Sequence, residues 1–172
     1  MDPTLQNLRV PPVTLIFGVI MTLITFLYTY GQLVSLPCGP DLVSSFSRNF
    51  LHIDWFHLIL NMYTFYRLIP LELIYGSSFY LLLIGLLLLF QTFIEWTINH
   101  YFAINCSIGF SGILFGLVTW MTLSLHNQDW MMLAPLILSI FSSSARDPRL
   151  SLLGHLLGVV SGLLAWFLTR QI

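Results

Sequence analysis

The stretch CSIGFSGILFG, residues 106–116, sets a small hydroxyl residue, Ser111, between two glycines at the head of a hydrophobic run. What that serine can do depends on the solvent the run occupies. Of the 172 residues, 57% are hydrophobic and 8% are charged, and the mean hydropathy is +0.86. Soluble domains carry about 25% charged residues, so the composition reads as an all-α polytopic membrane protein.

At about 20 apolar residues per crossing, six spans are expected: 12–30, 52–69, 78–98, 109–126, 130–143 and 151–169. The fifth is short and carries Pro135. The connecting loops are brief apart from residues 31–51, which hold Pro37, Gly39, Pro40 and two candidate helix caps, Ser44 and Ser45. One membrane domain over residues 1–172 is expected, with no soluble domain. The start of the chain has an acid and prolines where a signal peptide would have a basic segment, so the first span reads as uncleaved.

Charge excludes one class of partner. Six Arg and no Lys stand against seven acidic residues, and no basic stripe is present to track a nucleic-acid backbone. The arginines do not orient the chain either, because Arg9, Arg67 and Arg170 fall on the side of the termini and Arg48, Arg146 and Arg149 on the other. The two cysteines, Cys38 and Cys106, do not by themselves establish a disulfide framework.

Polar side chains are costly in hydrocarbon, so those inside spans point to function. His57 and Asn61 lie four residues apart in HLILN, on one face of the second span. Ser111 opens the fourth span and His155 lies near the start of the sixth. Even-numbered spans run in the same direction. At about 1.5 Å per residue, Ser111, His155 and His57 therefore fall within roughly one or two turns of the same surface.

Gly112 and Gly116 in the fourth span, and Gly158 and Gly162 in the sixth, form small-xxx-small patterns that let two helices approach closely. Ser111 and His155 could then meet, with imidazole as the base a serine nucleophile needs. Backbone N–H groups at the start of the fourth helix, together with the Asn61 amide and the His57 ring, are candidate donors to an oxyanion. Phe115, one turn beyond Ser111, is placed to stack on His155. No intramembrane acid is well placed as a third member, which makes the expected unit a Ser–His dyad.

Each of these residues also has a plainer reading. A serine between glycines is commonly packing, a single histidine can be a satisfied core residue, and HLILN can be an interhelical hydrogen-bond pair. It is their joint occurrence at one depth that favours catalysis. Glu72 reads as an interfacial hydrogen-bonding residue and Glu95 as a helix-end group. His52, His100 and His126 lie near span ends and read as wet, and Trp55, Trp96, Trp130 and Trp166 read as an aromatic belt.

From about Arg48 to Gly162 the chain resembles the rhomboid intramembrane serine proteases in their basic six-helix form. FLHIDWFHLILNMY is similar to the family's histidine-and-asparagine second helix, and LELIYGSSFY to its glutamate-and-glycine continuation. GFSGILFG is similar to its GxSG nucleophile motif and GHLLGVVSG to its final HxxGxxxG, in wording closer to the eukaryotic secretory-pathway branch.

The resemblance implies a six-helix rhomboid-like bundle with both termini cytoplasmic. It implies Ser111 as nucleophile, His155 as general base and acid, and His57 and Asn61 with the Ser111 backbone as the oxyanion hole. The substrates would be transmembrane proteins of the same bilayer, cut in or beside a membrane helix without metal or cofactor. The membrane would be the cytoplasmic one in a prokaryote and that of the ER or Golgi in a eukaryote.

Two departures stand out: the first loop lacks the family's common Trp-Arg pair, and Phe115 stands where many members have Tyr. The alternative is a catalytically silent, derlin-like binder of unstable membrane proteins. A small transporter is disfavoured, since no inverted repeat or charged pathway is visible.

Overall fold

Three of the described helices begin where a carboxylate takes the place of the missing preceding turn. The first four N–H groups of any helix lack an internal partner. The computed structural model describes residues 11–33, 37–102, 106–125 and 152–170, and three of its helices solve this problem with an acid.

Helix α1 (Pro12–Thr29) has proline at its first position and Pro11 as its flanking residue, which has no side-chain acceptor to offer. The acceptor comes from far along the chain. Val13 and Thr14 donate their amides to the Glu72 carboxylate at 2.8 and 2.9 Å, and the Thr14 hydroxyl donates to it at 2.7 Å. A fourth bond arrives from the Ser77 hydroxyl at 2.9 Å. Glu72 is 2% exposed and lies in the short helix α4 (Ile69–Tyr75), so it joins α1 to the turn between α4 and α5.

Helix α2 (Leu42–Ser47) is capped by Asp41, which accepts from the Ser44 amide at 2.8 Å and the Ser44 hydroxyl at 2.6 Å. These bonds hold the exposed Asp41 carboxyl below its usual range. The cap is thus not Ser44 or Ser45 as expected, because the carboxylate three residues before Ser44 already reaches its amide. Ser45 is buried inside the helix instead.

Helix α3 (Trp55–Arg67) is capped by Asp54, which accepts from the His57 amide at 2.7 Å. It starts three residues later and ends earlier than the expected 52–69 span, and α4 follows with Pro70 in its first turn, a residue with no N–H to give. Gly76, at φ +82°, turns the chain into α5 (Ser77–Tyr101). Helices α6 (Ser111–Leu125) and α7 (Leu152–Thr169) complete the described bundle. The expected 130–143 span, with Trp130 and Pro135, lies outside the described residues, as does His126.

The pattern of exposure identifies the solvent. Leu15, Ile16, Val19 and Leu23 on α1, Leu81, Leu82 and Leu89 on α5, and Leu156, Leu163, Phe167 and Leu168 on α7 are exposed. Thr25, Asn61, Thr64, Gln91, Thr92, Ser161 and Thr169 are buried. Apolar outside and polar inside is the arrangement of a bundle in lipid. Helices α1, α5 and α7 are each long and apolar enough to cross a bilayer.

The core contains Phe65, Tyr80, Leu83, Leu87, Phe110 and Leu114. Phe65 meets Phe110 edge to face at 5.4 Å between centroids, so the residue just before Ser111 is anchored in packed side chains.

Removing the distant cap should weaken the whole bundle. Glu72→Ala leaves buried amides without acceptors, and a loss of roughly 2–4 kcal/mol is expected. Thermal unfolding in detergent checks this, with a clear drop in Tm expected.

Candidate active site

Gly109 comes first in building the site. At φ +117° it turns the chain into α6, and its amide donates to the Arg48 carbonyl at 3.0 Å. A side chain there would be strained and would also collide, since a Cβ would lie 2.6 Å from Cε1 and 2.9 Å from Nε2 of His57. The His57 ring therefore rests on the backbone two residues ahead of Ser111. Helix α6 starts at Ser111, and Leu114 donates to the Phe110 carbonyl at 3.1 Å. The amides just before Leu114 have no acceptor within the helix.

Helices α6 and α7 touch through their backbones. A Cβ on Gly112 would lie 3.1 Å from the Gly154 carbonyl oxygen, and one on Gly116 would lie 3.1 Å from that of Gly158. In the other direction, a Cβ on Gly158 would overlap the Gly112 carbonyl, and one on Gly162 would lie 2.6 Å from that of Gly116. Only glycine allows this approach. Gly154, at the head of the same α7 row, also belongs to the contact.

Close approach brings the two polar residues together. Ser111 Oγ lies 2.9 Å from His155 Nε2, hydrogen-bond distance for a hydroxyl facing imidazole. The Phe115 ring sits beside His155, 5.0 Å between centroids and tilted by 48°. His155 Nδ1 has no hydrogen-bond partner among the described residues, so no acid orients the ring there.

His57 and Asn61 lie one turn apart on α3, with the His57 ring against Gly109 at the head of α6. Asn61 donates one amide hydrogen to the His57 carbonyl at 3.1 Å, which leaves it a second. All four side chains are buried. His52, read from sequence as wet, is fully buried: its ring packs edge-on against His57 at 5.0 Å and its Nδ1 lies 3.4 Å from Thr25 Oγ1. Residues 52–53 fold beneath α1 before α3 begins, and that takes His52 out of water. His100 is exposed, as expected.

The Rhomboid domain family model matches residues 39–172. The chain belongs to the rhomboid family. It is similar to a protein described as a rhomboid protein in Acanthamoeba polyphaga mimivirus, with 26% identity over 145 residues that cover 83% of this chain and 84% of that protein. No solved structure matches it significantly.

This rhomboid has two features that the sequence reading missed. Cys38 and Cys106 form a disulfide, with Cα atoms 5.4 Å apart across 68 residues of sequence. It ties the first loop to the segment leading into Ser111. Beside it Arg48, 1% exposed, pairs with Glu95 of α5 at 3.6 Å. Glu95 is therefore not a free helix-end group. A charge this deep needs a partner, and that requirement was the one available signal.

The disulfide gives a direct check. Maleimide should modify neither cysteine of the denatured, unreduced protein and both after reduction, read by intact mass. Modification before reduction would contradict the pairing.

Proposed function

We propose that this rhomboid is an active intramembrane serine protease working through a Ser111–His155 dyad on transmembrane protein substrates. The single observation that carries this reading is the 2.9 Å approach of Ser111 Oγ to His155 Nε2, made across two helices whose glycines bring their backbones into contact.

The chemistry follows from the donors and acceptors present. Ser111 Oγ attacks a peptide carbonyl while its proton passes to His155 Nε2. The carbonyl electrons move onto oxygen, where the second Asn61 amide hydrogen, the His57 ring and the amides at the start of α6 are available as donors. Collapse expels the amine, which takes the proton from His155. Water then attacks the acyl-enzyme with His155 again as base, returning Ser111.

Phe115 beside the imidazole restricts its tilt, the part an acid plays in a triad. Its ring lacks the hydroxyl of the tyrosine common in the family, and packing alone supports the orientation here.

Orientation in the membrane follows from the cysteines. A disulfide persists in an oxidising compartment, which supports a site opening to the exoplasmic or luminal face with the termini in the cytoplasm. The membrane is then that of the secretory pathway in a eukaryote or the cytoplasmic membrane in a prokaryote.

The test is cleavage in proteoliposomes of a panel of single-span substrates, half of them carrying Gly or Pro within the span. Wild type should cut the helix-broken substrates faster, because an intact helix hides its carbonyls in hydrogen bonds. Ser111→Ala and His155→Ala should each abolish cleavage, and the double variant should be no worse, since the two act as a unit. Cleavage that survives in Ser111→Ala would remove the assignment. A panel left uncut by well-folded wild type would favour a silent, derlin-like binder.

A further inference from the structure

One buried polar network touches both halves of the dyad without belonging to either. Its centre is Glu95 on α5. One carboxylate oxygen, Oε2, lies 3.6 Å from Arg48 Nε, and the other, Oε1, accepts from Gln91 Nε2 at 2.8 Å. The same Gln91 nitrogen donates to the Gly154 carbonyl at 3.0 Å, one residue before His155. It also lies where a Cβ on Gly112, one residue after Ser111, would come within 2.8 Å of it.

On the other side, Arg48 donates to Ser45 Oγ at 2.5 Å and lies 3.8 Å from the disulfide sulfur of Cys106. Its carbonyl accepts the Gly109 amide, two residues before Ser111. Arg48, Gln91 and Glu95 are 1%, 1% and 6% exposed.

We propose that Arg48, Glu95 and Gln91 form a positioning relay that fixes the serine turn and the histidine helix to one common post on α5. The inference rests on the protease reading, but its geometry stands apart from it. Glycine contact between α6 and α7 sets how closely the helices approach, yet small residues slide past one another readily. Directional bonds from one glutamine to the Gly154 carbonyl and to Glu95 resist that sliding. The fixed fork of an arginine, whose own backbone holds Gly109, resists movement of the turn. A shift of about 1 Å in such a pair costs a hydrolase on the order of 10²-fold in rate, so the relay acts on rate rather than on substrate binding.

The experiment measures two things on the full chain in detergent for wild type, Gln91→Leu, Glu95→Gln and a control, Thr169→Val. The control removes the bond that buried Trp120 donates to Thr169 at 2.7 Å, at the opposite ends of α6 and α7. The first readout is the rate constant for fluorophosphonate labelling of Ser111. The second is hydrogen exchange of peptides covering residues 106–112 and 152–158, which needs no activity.

Gln91→Leu and Glu95→Gln should slow labelling at least tenfold and raise exchange in both peptides together. Thr169→Val should leave both the labelling rate and the exchange of the two peptides unchanged. Wild-type labelling with unaltered rates and exchange in the two relay variants would overturn the relay and leave the protease reading intact. Joint deprotection in a protein whose wild type never labels would sustain the relay and sink the protease reading. Deprotection confined to one peptide would also overturn the relay.

Discussion

Everything proposed for this site depends on two helices meeting at their backbones. Where Gly112 and Gly116 of α6 face Gly154, Gly158 and Gly162 of α7, carbonyl oxygens occupy the space a methyl group would need. Lipid supplies no hydrophobic force to press helices together, so close packing of small residues has to do it. The distance from Ser111 to His155 is a consequence of that contact. A larger residue in either row would separate the hydroxyl from its base before it changed any chemistry.

A second constraint shapes the rest of the bundle: a polar group away from water must find its partner inside the protein. Glu72 caps a helix 58 residues away in sequence. Asn61 turns one hydrogen back onto its own helix and keeps one. The residues left with unpartnered polar atoms include His57 Nδ1, His155 Nδ1 and Asn61 Oδ1, and all three belong to the candidate site. Others lie elsewhere in the bundle: His52 Nε2, the Tyr80 hydroxyl and Thr92 Oγ1 are also without a hydrogen-bond partner among the described residues.

How much of this could be read from sequence varied with how local the signal was. The pairing of GFSG with GHLLG needed only two short motifs on helices of the same direction, and the small-residue rows are visible by spacing. The break between α3 and α4 was legible in principle from Pro70, but the long apolar run around it obscured the stop. Three features were not legible because their partners are far away: Cys38 with Cys106, Arg48 with Glu95, and Glu72 with the start of α1. His52 was misread because proximity to a span end suggests water, whereas the loop folds under the bundle. Gly109 was quoted within the motif, but its need for glycine comes from His57, a contact no spacing reveals.

The central claim is that Ser111 is chemically activated by His155. Treating the purified protein with a fluorophosphonate and mapping the adduct by peptide mass spectrometry tests this without knowing any substrate. The account predicts a single adduct on Ser111 in wild type and none on that residue in His155→Ala. An adduct of equal yield on Ser111 without His155, or no adduct in folded wild type, would contradict it.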